Sequence, residues 1–182
     1  MNVKCKFLPF FICSFCFLPG NKPIFSQQLP SGATFQAGSA KINYHNSALY
    51  IHQGTPRAVI DWQSFNVGQG GAVHFMHPSQ ASATLNRVVG PGSTQILGQI
   101  TAPGQVFITN GNGVYFGKSA SIDVGSMVAS SFDIGTSDFL SGDLLFSSKN
   151  EREGMVINQG KLKAKKNGFV ALLAPEVRNE GI

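Results

Sequence analysis

The chain predicts an all-β fold: a parallel β-helix, or solenoid, with a separately built capping region at its N-terminal end. Three observations lead there. Charged residues make up only 13% of the 182 residues, while 21 glycines and many Ser, Thr, Asn and Gln supply the polarity; the usual charged share is about a quarter. That profile suits β structure with frequent turns better than surface helices. From residue 29 onward, short β-like runs recur between Gly, Pro, Asn and Ser breaks, and no stretch holds a helical period with a cap. Finally, VINQG at 156–160 and VRNEG at 177–181 match at an offset of 21 residues, and Ile100, Ala102 and Val106 fall 22 residues before Ile122, Val124 and Val128. Two offsets of similar size in neighbouring regions imply coils of roughly 20 residues stacked on one another.

The first 26 residues follow other rules. Lys4 and Lys6 precede an apolar run from Phe7 to Leu18, followed by Pro19, Gly20 and a short polar stretch. This reads as a secretory signal peptide with cleavage expected after Ser26; the alternatives are an uncleaved anchor or a lipidated Cys13 or Cys16. The run is too short for a stable membrane span, which needs roughly 20 apolar residues. All three cysteines (Cys5, Cys13, Cys16) lie inside this segment, so the processed chain would hold no disulfide, thiol nucleophile or Cys-based zinc site. One physical reading is that the chain crosses an oxidising compartment unfolded, where a premature cross-link would jam it. Removing 1–26 takes three of the 14 bases and none of the 9 acids, so the net charge falls from +5 to +2. Nucleic acid is therefore not the expected partner.

Residues 27–80 are expected to form the cap and the first strands. They carry Pro30, Pro56 and Pro78 and a dense aromatic set at Trp62, Phe65 and Phe75, and an open solenoid end needs a cover for its unpaired edge and apolar core. Strand-like runs fall at 48–51, 58–60, 72–75, 96–100, 106–108 and 114–116. Between the last two, Asn110-Gly111-Asn112-Gly113 reads as a tight corner, because Asn and Gly reach positive φ cheaply. Further runs at 121–124, 144–146, 155–157 and 169–173 carry the coils of 81–182 onward, and the chain reads as the first part of a longer solenoid.

Few side chains suggest chemistry. Asp133, Asp138 and Asp143 invite a glycosidase reading, which needs two carboxylates about 5 to 9.5 Å apart, but all three sit in turn-like contexts where Asp bonds its own backbone. His74 and His77 point to opposite faces of a strand, so with His45 and His52 they read as surface or edge histidines, and no metal or cofactor is expected. Lys161, Lys163 and Lys165 share one strand face opposite Leu162 and Ala164, which reads as a solvated face that also discourages edge pairing. The glycine clusters at 68–71 and 90–94 lack the Lys and helix of a phosphate loop and read as turns. Nothing matches a Ser-His-Asp nucleophile elbow.

Six ordered phrases carry a family resemblance: AVIDWQSFNVG at 58–68, LNRVVG at 85–90, QILGQI at 95–100, GQVFI at 104–108, NGNGVYFG at 110–117 and GFVALLAP at 168–175. Over about 29–182 the chain resembles the N-terminal secretion domain of filamentous haemagglutinin-type exoproteins of two-partner secretion systems. The resemblance implies a right-handed parallel β-helix with an N-terminal cap, preceded by a cleaved export signal. It also implies a non-enzymatic domain recognised by the periplasmic domains of a dedicated outer-membrane transporter, on a protein exported through the periplasm to the medium or the cell surface. Asn86, Arg87, Asn110, Gly111, Asn112 and Gly113 are the expected recognition and structural motif residues. Gly111 departs from the family phrase Asn-Pro-Asn-Gly, leaving free a φ that proline would pre-set.

Two other classes stay open at this point: a β-helical polysaccharide-active enzyme, resting on Asp133 to Asp143, and a free-standing adhesin that binds a host-cell glycan or receptor. Fold alone does not choose among them.

Overall fold

A computed structural model describes residues 28–148 and 154–182. The expected signal peptide and its three cysteines lie outside the described residues.

Two antiparallel strands open the structure, β1 (Thr34–Ala37) and β2 (Ala40–His45). Five coils follow. The first contributes β3 (Ala48–Gln53) and β4 (Arg57–Trp62) and touches the third face through Val67, which bridges to Ile96. The second is β5 (Ala72–Met76), β6 (Ala83–Val88) and β7 (Thr94–Ile96). The third is β8 (Gln99–Thr101), β9 (Gln105–Thr109) and β10 (Val114–Phe116). The fourth runs through β11 (Ser121–Val124) and β12 (Ser126–Ser130). It then leaves the stack through β13 (Asp133–Ile134), helix α1 (Thr136–Ser141) and β14 (Phe146–Ser147), and returns at β15 (Val156–Asn158). The fifth is β16 (Lys161–Ala164), β17 (Val170–Leu173) and β18 (Val177–Asn179).

Strands at equivalent places pair in parallel from coil to coil, giving three faces ordered β2-β3-β5-β8-β11-β16, β1-β4-β6-β9-β12-β17 and β7-β10-β15-β18. Only β1 and β2 run against the direction of their faces, each laid antiparallel on a strand of the first coil, β4 and β3. They occupy backbone groups that the first coil would otherwise expose.

Inward side chains build one core. Leu49, Ile51, Val73, Phe75, Ile100 and Ile122 line it from the first face, and Ile60, Trp62, Val106, Ile108, Met127 and Ala129 from the second. Trp62 and Phe65 meet edge to face at 5.4 Å between centroids. A second apolar layer lies outside the second face: Val59, Leu85, Phe107 and Val128 pack under Ile134 and Phe139 of the excursion. That face is thus covered on both sides, which is why β9 and β12 are buried almost throughout instead of alternating.

The offset of 21 between 156–160 and 177–181 is the register of β15 on β18, with Val156 opposite Val177 and Asn158 opposite Asn179. The offset of 22 holds for Ile100 opposite Ile122 but slips by one at the next corner. There Val106 faces Met127 and Phe107 faces Val128, so Val106 and Val128 are not partners. A one-residue slip exchanges faces, and the shorter corner at Gly125 produces it. The expected run 96–100 is broken at Leu97 and Gly98 into β7 and β8, and 144–146 keeps only Phe146 as strand, with Leu144 and Leu145 exposed.

No helix is expected from the sequence pattern, and α1 corrects that expectation. It buries the single side chain Phe139, has no side-chain cap at Gly135, and ends at Gly142 in the left-handed region. One buried residue in six cannot display a helical period. Tertiary contacts hold it: Phe139 packs edge to face on Phe107 at 5.2 Å, and Arg57 lies over the Phe139 ring while donating to its carbonyl at 2.7 Å.

Candidate functional site

The corner at 110–113 joins β9 to β10. Asn110 is 1% exposed, and its side chain acts in two directions. Its Oδ1 accepts the Asn112 N–H at 2.9 Å, while its Nδ2 donates to the Gly92 carbonyl and to Thr94 Oγ1, both at 2.9 Å. The first bond shapes the turn; the others tie it to the preceding coil. Gly113 N–H closes the turn on the Asn110 carbonyl at 2.8 Å, and Asn112 Nδ2 reaches the Gly90 carbonyl at 3.3 Å. The returning excursion docks here too, through Gly154 N–H to the Gly111 carbonyl at 2.8 Å.

Only Gly113 takes a positive φ in this corner, +98°, and a Cβ there would stand 2.6 Å from the Met155 carbonyl oxygen. Gly111 is not among the positive-φ residues. The four corner residues form one hydrogen-bonded unit. Asn86 and Arg87 lie elsewhere.

Consecutive residues of a strand point to opposite faces, and β6 shows the consequence. Asn86 is fully buried inside the coils, where its Oδ1 accepts the Trp62 Nε1–H and its Nδ2 donates to the Phe107 carbonyl, both at 3.1 Å. One amide therefore links three coils. Arg87 points outward and grips the excursion: Nε donates to Asp61 Oδ1 at 2.9 Å, one terminal nitrogen to Thr136 Oγ1 at 2.8 Å, and the other lies 3.9 Å from Asp133. The six expected residues thus occupy three environments: the interior, the outer layer and one corner.

Asp138 and Asp143 serve local geometry, while Asp133 also reaches other coils, accepting from Thr109 Oγ1 at 3.4 Å and lying 3.9 Å from Arg87. Asp133 accepts the Ile134 N–H at 2.8 Å, Asp138 lies in the first turn of α1, and Asp143 accepts the Ser141 hydroxyl at 2.9 Å. Among the described residues, no group of three or more His, Cys, Asp or Glu is placed to hold a metal ion. His74 bonds Thr101 Oγ1 at 2.7 Å and stacks on Tyr50. His77, read from the sequence as a surface or edge residue, is instead partly buried in the corner between the first two faces. It accepts the Gly104 N–H at Nδ1 (3.1 Å) and bonds Thr84 Oγ1 through Nε2 (2.8 Å). Its tautomer follows, with the proton on Nε2. Burial pushes this imidazole down to about 4.

The sequence points to no site role for Asp61, Asn158 or Asn179, and it places Trp62 only in the aromatic set of the capping region. Asn158, 1% exposed, accepts the Gly160 N–H at 3.0 Å and donates to Asn179 Oδ1 at 2.8 Å in the next coil. The repeated Val-x-Asn-x-Gly phrase was the available signal for that ladder. Asp61 stands opposite Arg87 at a separation of 26 residues, longer than the repeat, so no offset pointed to it.

Comparison with known proteins joins these features to a family. The family model described as TPS secretion domain matches residues 26–182. The chain belongs to the TPS secretion domain family. A heme/hemopexin-binding protein of Haemophilus influenzae strain Rd is 37% identical over 163 residues, covering 86% of this chain and 18% of that protein. Another from Haemophilus influenzae is 40% identical over 86 residues, 47% of this chain and 9% of its own length. The chain therefore spans less than a fifth of the curated relatives it matches. Among solved structures, the HMW1 secretion domain of Haemophilus influenzae superposes with a TM-score of 0.80 at 30% identity, over 84% of this chain and 41% of that one. A TPS domain implies an outer-membrane transporter as partner and a route through the periplasm. Among the described residues, no helix is long and apolar enough to cross a membrane.

Proposed function

We propose that this TPS domain is the non-enzymatic export and folding-nucleation module of a large filamentous haemagglutinin-like surface adhesin. The transporter's periplasmic domains capture it as an extended chain, by strand addition to a sheet edge. The burial of Asn86 and Asn110, 0% and 1% exposed, carries this reading. Side chains enclosed in the folded coils are offered to a partner only before folding, so recognition through them belongs to the unfolded chain. Absence of cysteine after residue 26 serves the same route. Outside the cell, β1 and β2 cap the first coil, and each later coil buries its inward face on the one before it. The host-cell glycan or receptor belongs to the whole adhesin.

Export of Asn110→Ala, Asn112→Ala and the Asn86→Ala/Arg87→Ala pair is the test, together with binding of a synthetic peptide of residues 84–116 to the transporter's isolated periplasmic domains. The variants should reach the medium at reduced levels, and the peptide should bind less well with the same substitutions. Wild-type export of all three variants overturns the recognition role.

A further inference from the structure

The corners between the first and second faces differ in length from coil to coil. Six residues, 77–82, separate β5 from β6, and three, 102–104, separate β8 from β9. Gly125 alone separates β11 from β12, while five residues, 165–169, separate β16 from β17. Two long corners therefore flank two short ones. The result is a trough of about 370 Å³ with Gln80 on one wall, Lys165, Lys166 and Asn167 on the other, and Pro103 and Gln105 along its floor.

Both walls are held by hydrogen bonds. In the first, Ser79 and Ser82 bond each other at 3.0 Å and His77 takes the Gly104 N–H at 3.1 Å. In the second, Lys165 N–H donates to the Val124 carbonyl and Gly168 N–H to the Lys165 carbonyl, both at 2.9 Å, and Phe169 N–H reaches Ser126 Oγ at 3.2 Å. The floor stays low because a Cβ on Gly125 would stand 2.6 Å from the Gly104 carbonyl oxygen. A site whose walls are already ordered loses little freedom on binding.

Two lysines and three amide-bearing residues line this space, and among the described residues no Asp or Glu does. Pro103 adds a flat apolar patch to the floor. The volume falls in the range of small-molecule sites, about 300 to 1,000 Å³. We propose that the trough binds an acidic saccharide of one or two rings, its carboxylate or sulfate held by Lys165 and Lys166, its hydroxyls by Gln80, Gln105 and Asn167, and a ring face by Pro103. The proposal is independent of export, since none of these residues belongs to the recognition motif.

Calorimetric titration of the full chain with a sulfated heparin-derived disaccharide, a carboxylated hyaluronan-derived disaccharide and lactose tests it. One or both acidic sugars should bind, lactose at least tenfold more weakly, and whichever acidic sugar binds identifies the anion. Lys165→Gln/Lys166→Gln should weaken binding at least tenfold and Gln105→Leu several-fold. Lys118→Gln/Lys161→Gln, which removes the same charge outside the trough, should leave affinity unchanged. Equal loss in that control, lactose binding as well as the acidic sugars, an Asp-Glu peptide binding as tightly, or no binding at millimolar sugar overturns the proposal. Export of the variants should match wild type, so a binding defect reads separately from a secretion defect.

Discussion

Trp62 donates its indole N–H to Asn86 Oδ1 at 3.1 Å in the solenoid interior, joining the first coil to the second at a place where both side chains are fully buried. The same amide donates to the Phe107 carbonyl of the third coil. A buried donor or acceptor left without its partner costs about 1–3 kcal/mol. Asn86→Ala strands the indole N–H, takes away the side-chain donor to the Phe107 carbonyl and leaves a small void. A loss of about 2–4 kcal/mol is expected, read as a lower urea midpoint of the secreted protein. An unchanged midpoint contradicts the strut role.

Arg87 should govern the excursion and not the coils. Its bonds run to Asp61 in the first coil and to Thr136 at the start of α1. In Arg87→Ala, hydrogen exchange should quicken across 133–147 while β9 and β12 interiors keep their protection, because the inward core of those strands is untouched. Limited proteolysis should cut first between 131 and 148. Uniform loosening of the whole domain would show that Arg87 supports the stack itself.

Stability should fall with acid in a window set by His77. The imidazole of the folded chain holds its proton only near pH 4, against 6.5 for an ordinary histidine, because burial disfavours the charged form. Between those values the unfolded chain binds more protons, so stability drops as pH falls from about 6.5 towards 4 and this group adds no pH dependence above that window. Protonation also removes the Nδ1 acceptor of the Gly104 N–H. Urea midpoints at pH 7.5 and 4.5 should differ less in His77→Gln than in wild type. Equal differences would place the acid sensitivity in other groups.

Parts of this structure were legible in the chain and parts were not, for physical reasons. Val156 and Val177 disclosed the coil because the repeated Val-x-Asn phrase lies within two directly paired strands, so sequence offset and spatial register coincide. Val106 and Val128 misled because the Gly125 corner is shorter than its neighbour, and only the backbone path reveals a one-residue slip. The outer layer was invisible for a different reason: Phe107 and Val128 read as ordinary strand residues, and nothing near them signals a cover supplied by Phe139. At the candidate site, the turn chemistry of Asn110 to Gly113 was readable from residue types alone. The inward aim of Asn86 and outward aim of Arg87 required knowing which face of β6 meets the core.

The corner itself offers the sharpest pair of substitutions, because Gly111 and Gly113 have opposite tolerances. The turn closes from Gly113 N–H to the Asn110 carbonyl, which puts Gly111 at its second position, where proline's fixed φ is favoured. Gly111 lies outside the positive-φ set, so Gly111→Pro restricts the unfolded chain and should stabilise by about 0.4–1 kcal/mol. Gly113 holds φ at +98° with the Met155 carbonyl 2.6 Å from the place of a Cβ. Gly113→Ala must strain the turn or push back the returning excursion, and a loss of at least about 1 kcal/mol is expected. Thermal unfolding of the two variants should move in opposite directions from wild type. Export should follow, held or improved for Gly111→Pro and reduced for Gly113→Ala. A collapse of export in Gly111→Pro with a raised melting temperature would mean that the transporter needs a pliant chain at this corner, and that the motif works through its flexibility and not its turn.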